Sequence, residues 1–217
     1  MILHASPAGA SGIVESGERL FVQQGSNDPI VVLAALDGFD QPEGSDLAGL
    51  ASPAGGQWHA GVGSLIVEAS AARRPVGVVS TAVLRLGVSE VQVGAEVRSD
   101  DGDPSSGVVL HSGPDGELRV VLLPDGVDHR LELLLIDDGG GTTRLASGAA
   151  FGGAMTRAVI RVESRNSVVT AWLDGAEAFT HTLVGPLATA VAAQTAHGIV
   201  LGRDADSVDD VRVLALG

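Results

Sequence analysis

An all-β fold is predicted by three features of this 217-residue sequence. Helical periodicity is nearly absent, short Val/Leu/Ile-rich runs recur along the chain, and Gly, Asp, Asn and Pro separate them. The first long run is residues 30–36 (IVVLAAL). Residues 90–98 (EVQVGAEVR) alternate with a period of two, Val91, Val93, Ala95 and Val97 pointing one way and Gln92, Glu96 and Arg98 the other. Residues 156–163 (TRAVIRVE) and 210–216 (DVRVLAL) follow the same rule. Such alternation describes strands with one face in a core and one in water. Residues 118–123 and 131–136 are apolar on both parities, as 30–36 is, and are expected in central strands or in strands whose outer face is covered.

Turn chemistry separates the runs. Segments 100–107 (DDGDPSSG), 113–116 (GPDG), 124–126 (PDG) and 137–141 (DDGGG) combine glycine's tolerance of positive φ with aspartates that bond nearby amides. Asp174-Gly175, between 168–173 and 177–183, predicts a two-residue hairpin. About thirteen strands are expected in this way. Residues 187–195 (LATAVAAQT) form the one helix candidate, a single turn or a loop being the alternative. Residues 38–57, rich in Gly, Pro, Ser and Asp, read as a long surface loop. The first 27 residues hold Gly, Ser, Pro and Gln around one weak strand, 19–23, and read as an arm or appended hairpin. The division expected is therefore an arm over 1–27 and a β-sandwich over 28–217, with its boundary at 26–29.

Composition excludes several chemistries. The chain has 27 acidic and 13 basic side chains, a net charge of −14, and no Cys and no Tyr. It also has no Lys, so every cation is Arg. Without Lys there is neither a Walker A phosphate loop nor a Schiff-base lysine, and without Cys neither a disulfide frame nor a zinc knuckle. An acidic balance argues against nucleic acid, where affinity comes from neutralising phosphates. No apolar run approaches the length of a membrane helix. The N-terminal residues lack the basic start and apolar stretch of a signal peptide, so folding in the producing cell's cytoplasm is expected.

Paired carboxylates on a β-sandwich raise a glycosidase, yet no Glu-x-Asp-x-Glu strand is present, and Glu90 and Glu96 stand too far apart on one strand. A pair from two strands stays open. Loop aspartates suit calcium; Asp204, Asp206 and Asp209 are the trio to test, with turn formation as the alternative. No EF-hand fits from Asp100, because the twelfth position is His111. Six scattered histidines form no ligand pair, and no Gly-x-Ser-x-Gly or Gly-x-Gly-x-x-Gly motif occurs. For a ligand, Trp58 and Trp172 with Asp101 and Asp103 are the candidates, with core packing expected for at least one tryptophan.

The order of features resembles the concanavalin A-like, laminin-G-type jelly-roll domains over residues 30–217. Leu36-Asp37-Gly38-Phe39-Asp40 opens the domain, and Trp58 and Gly63-Ser64-Leu65-Ile66-Val67 follow a Gly/Ser loop. Residues 105–111 (SSGVVLH), a Gly-Glu-Leu-Arg-Val-Val strand, the Ala-Trp-Leu-Asp-Gly hairpin and a closing HGIVLGRDADSVDDVRVLAL come later. The resemblance implies two curved antiparallel sheets, with the first and last strands neighbours in one of them. Members include lectins, glycosidases, adhesion modules and virion parts. Poverty in aromatics, the absent signal and an Ala/Gly/Val/Asp-rich composition make the chain similar to structural proteins of phages of high-GC actinobacteria. The expectation is a non-enzymatic virion protein of tail, fibre or head, assembled in the host cytoplasm, needing no cofactor and docking on virion neighbours or on copies of itself. A glycan-binding module for host attachment is the alternative, and a glycosidase the third reading.

Overall fold

The computed structural model describes residues 12–16, 19–23, 31–52, 56–75 and 79–216, with side chains from residue 37 onward. Eighteen strands and one helix occur among them. In chain order the strands are β1 (Gly12–Ser16), β2 (Arg19–Gln23), β3 (Val31–Asp37), β4 (Trp58–Ala60), β5 (Ile66–Glu68) and β6 (Ala71–Arg73). Next come β7 (Ser80–Arg85), β8 (Val91–Ser99), β9 (Ser106–Gly113), β10 (Gly116–Asp125), β11 (Asp128–Ile136) and β12 (Thr142–Ser147). The last are β13 (Phe151–Gly152), β14 (Arg157–Arg165), β15 (Val168–Leu173), β16 (Ala176–Thr182), β17 (Ala196–Leu201) and β18 (Asp206–Ala215). The helix α1 (Pro186–Ala192) covers part of the segment expected to be helix or loop.

All pairings are antiparallel and make two sheets. One has ten strands in the order β1-β2-β3-β18-β8-β14-β15-β16, with β6 also on β18 and β5 beside it. The other has eight, in the order β12-β11-β10-β9-β17-β7-β4, with β13 on β11. The first long strand, β3, pairs with the last, β18, as the jelly-roll order implies. The boundary expected at 26–29 lies outside the described residues. The count exceeds the roughly thirteen strands expected because β4, β5, β6 and β13 are two or three residues long and carry no alternation to read, and because β1 adds a strand where only 19–23 was expected.

The core lies between the sheets. The predicted period of two is obeyed: Val91, Val93, Ala95 and Val97 of β8 are buried with Leu118, Val120 and Leu122 of β10 and Leu131, Leu133 and Leu135 of β11 in one cluster. Each fully buried Val or Leu stabilises by about 1.5–3 kcal/mol relative to exposure. The described residues of the 38–57 segment are mostly exposed, as expected of a surface loop, but two of them anchor it. Phe39 and Leu47 are fully buried in the core, and Asp46 bridges to Ile66. Its Gly and Pro content marks irregular backbone, pinned to the core by these two side chains.

A second, smaller cluster accounts for two of the runs that are apolar on both parities, 118–123 and 131–136; the side chains of 31–36 lie outside those described. Val83, Val109, Val121, Ala196 and Val200 are buried together, with Leu123 and Leu134 against them. By register they lie on the face of the eight-stranded sheet opposite the main core. Successive residues of β10 divide between the two clusters, Val120 pointing inward and Val121 outward.

Candidate groove on the eight-stranded sheet

Cross-strand register lays out the outer face of the eight-stranded sheet in three rows. One row runs Arg85, Ala196, Ser112, Glu117 across β7, β17, β9 and β10. The next runs His59, Val83, Gly198, Val109, Arg119 from β4 to β10. The third runs Thr81, Val200, Gly107, Val121, Glu132 from β7 to β11. Gly198 and Gly107 each sit between two valines, so the middle of the face is apolar and low. Their glycine identity is required by packing, since a Cβ on either would drive into a neighbouring strand's carbonyl oxygen, that of Ala82 or Val120.

Polar side chains flank this floor and frame two hollows. The larger, about 580 Å³, is lined by His59, Val83, Arg85, Ser112, Gln194 and Ala196, together with the β9–β10 turn. The smaller, about 380 Å³, holds Asp125, Arg130, Glu132 and Arg144. In the smaller one the charges are mutually satisfied, Arg144 pairing with Glu132 at 3.0 Å and Arg130 with Asp125. In the larger one Arg85 and His59 have no hydrogen-bond or ionic partner among the described residues. Gln194 is held from behind. The buried His111 ring donates from Nδ1 to the Gln194 carbonyl at 2.8 Å, and its Nε2 accepts from Ser164 at 2.9 Å. Burial keeps His111 neutral by pushing its pKa down. The Gln194 side-chain amide donates to Asp115 at 3.2 Å, while its Oε1 is buried without a partner.

The residues singled out from sequence lie elsewhere. Trp58 is fully buried, its indole N–H donating to Asp37 at 2.7 Å and its ring tilted against Phe39. Its ring therefore packs the core and offers no ligand platform, a correction to its candidacy. Trp172 is half-buried on the outer face of the ten-stranded sheet, with the Arg161 guanidinium 4.0 Å from its ring centroid. Asp101 and Asp103 come together, but around Arg203, at 2.6 and 2.7 Å. The Ser99 hydroxyl, with Arg203 adding a smaller pull, holds Asp101 below the usual carboxylate range. These two aspartates latch the loop after β8 to the loop before β18.

The calcium trio does not converge. Asp204 pairs with Arg74 at 2.7 Å and Asp209 with Arg98 at 3.1 Å. Asp206 is fully buried and accepts from the Ser105 amide and the Ser106 hydroxyl at 2.8 and 2.6 Å. Among the described residues no three acidic or imidazole side chains are grouped to hold a metal. Sequence reasoning missed Arg85 and Gln194. No motif marks them, because only the strand pairing reveals which arginine is left without a carboxylate.

No family model matches the sequence, and a search of curated proteins returns no match. Solved structures do share its fold. A carbohydrate-binding module, CBM66 from Bacillus subtilis, superposes with a TM-score of 0.60 over 79% of this chain and 99% of its own, at 9% identity. A chain reported with endo-acting O-glycanases of the human gut microbiota gives 0.56 over 85% and 100%, at 13% identity. The GH43 protein BlXynB from Bacillus licheniformis gives 0.53 over 83% of this chain and 38% of its own, at 12% identity. The jelly-roll-like β-sandwich expected from the sequence is thus the fold of this chain. The expectation that the chain is not an enzyme is overturned, because glycosyl hydrolases stand among the structures of this fold. The same fold also serves in binding modules, so the architecture gives no ground for excluding catalysis.

Proposed function

We propose that the chain is a carbohydrate-binding β-sandwich whose ligand lies in the larger hollow on the outer face of the eight-stranded sheet. The observation that carries this reading is the make-up of that hollow. It combines an apolar floor of Val83 and Ala196 with His59 and Arg85, polar groups for which the described residues supply no partner. A sugar ring offers the matching chemistry, an apolar C–H face with hydroxyls at its rim, and binding sites are commonly a mostly apolar concavity with a few placed polar groups. The carbohydrate-binding module and the glycosidases of the same fold add weight to it. The virion role expected from the sequence draws no comparable support from those structures.

A glycan microarray probed with the purified chain, with and without a chelator, tests the reading. Binding is expected in both conditions, because the hollow is not built on the aspartate trio. No binding to any glycan in either condition overturns the reading.

A further inference from the structure

We infer that the glycan bound in this hollow carries an anionic substituent, a carboxylate or a sulfate ester, held by Arg85. The inference rests on the carbohydrate reading above and names the ligand class within it. Acidic side chains outnumber basic ones 27 to 13 in this chain, so a cation without a carboxylate is the uncommon outcome. Every other arginine whose side chain is described is ion-paired, except Arg161, which lies on the Trp172 ring. Arg85 is exposed at the rim of the hollow, and its cross-strand neighbour is Ala196. Glu117, the acid of Arg85's own sheet row, is occupied by Arg119, and Asp115 of the β9–β10 turn by the Gln194 amide. A guanidinium presents a planar fork of donors that matches a carboxylate or sulfate bidentately, and the charge-assisted bonds so formed are about twice as strong as those a neutral hydroxyl accepts. His59, on the adjacent strand β4, lines the same hollow and adds a second donor.

The test compares the chain with Arg85→Gln and Arg85→Lys on three matched probe pairs: polygalacturonate and its methyl ester, dextran sulfate and dextran, and acidic and neutral members of a glycan array. Arg212→Gln, on the opposite sheet, serves as control. Binding is expected on acidic members, weakened at least tenfold in Arg85→Gln, about 1.4 kcal/mol, and by a smaller factor in Arg85→Lys, with the control unchanged. The uronate and sulfate pairs distinguish the two anions. Binding confined to neutral glycans, or acidic binding untouched by Arg85→Gln, overturns the inference while leaving the carbohydrate reading standing. An array without signal overturns the carbohydrate reading, and this inference with it.

Discussion

Individual ionisable residues set how this protein responds to acid. His197 is fully buried beside His111, its Nε2 2.7 Å from the Val88 carbonyl, and burial lowers its pKa from 6.5 to about 3. On the ten-stranded sheet Glu96 is held from 4.5 down to about 2, chiefly by its hydrogen bond from Arg157, with Arg98 assisting at 2.6 Å. Both folded-state values lie below the unfolded ones. Each contribution is therefore complete above the unfolded value and is lost as pH falls, between 6.5 and about 3 for His197 and between 4.5 and about 2 for Glu96. Urea unfolding at a series of pH values is expected to show stability falling from pH 6.5 downward. Glu96→Gln flattens the lower part of that fall and costs about 1 kcal/mol at neutral pH, because its arginine partners are largely exposed and screened. A flat profile from pH 7 to 4 contradicts this assignment. Other residue-level facts were hidden in the sequence: Trp58 as a buried donor to Asp37, and Asp206 as a buried acceptor, depend on partners 21 and 100 residues away.

At the scale of elements, the alternating strands were legible because their period of two is local, and β8, β14 and β18 follow it. The Asp174-Gly175 hairpin was legible for the same reason. Both of its residues have positive φ, 49° and 84°, the combination that Asp-Gly favours. The β5–β6 turn was not. It uses Ala69 and Ser70 at φ 51° and 55°, residues whose identity gives no hint of that geometry. A left-handed conformation costs a non-glycine residue about 1–2 kcal/mol. Replacing Ala69-Ser70 by Asn-Gly is therefore expected to stabilise the protein by about 1–2 kcal/mol, read as a raised urea midpoint with unchanged slope. The backbone amide of residue 69, which donates to Glu43 at 2.8 Å, is kept in that variant. An unchanged or lowered midpoint contradicts the strain assigned to the turn. The doubly apolar runs 118–123 and 131–136 left two readings open in sequence, and for them the answer is a sheet with apolar surface on both faces, the outer one built from valines flanking Gly107 and Gly198.

For the whole molecule, the sandwich was legible from the order of its parts, whereas the candidate site was not. Aromatic residues and aspartate clusters drew the sequence reading towards Trp58, Trp172 and the loops. The groove instead arises where strands far apart in sequence, β4, β7, β9 and β17, bring an apolar floor beside partnerless polar groups. That location yields its own test. Ser112→Trp fills the larger hollow from its floor row, while Thr182→Trp adds the same bulk to the exposed edge strand β16 of the other sheet. Both variants are compared with the unaltered chain on one glycan microarray, after circular dichroism has verified the fold of each. Glycan binding lost by at least tenfold in Ser112→Trp and kept in Thr182→Trp is the expected result. Binding that survives in Ser112→Trp, or that is lost only in Thr182→Trp, contradicts the placement of the site on the eight-stranded sheet.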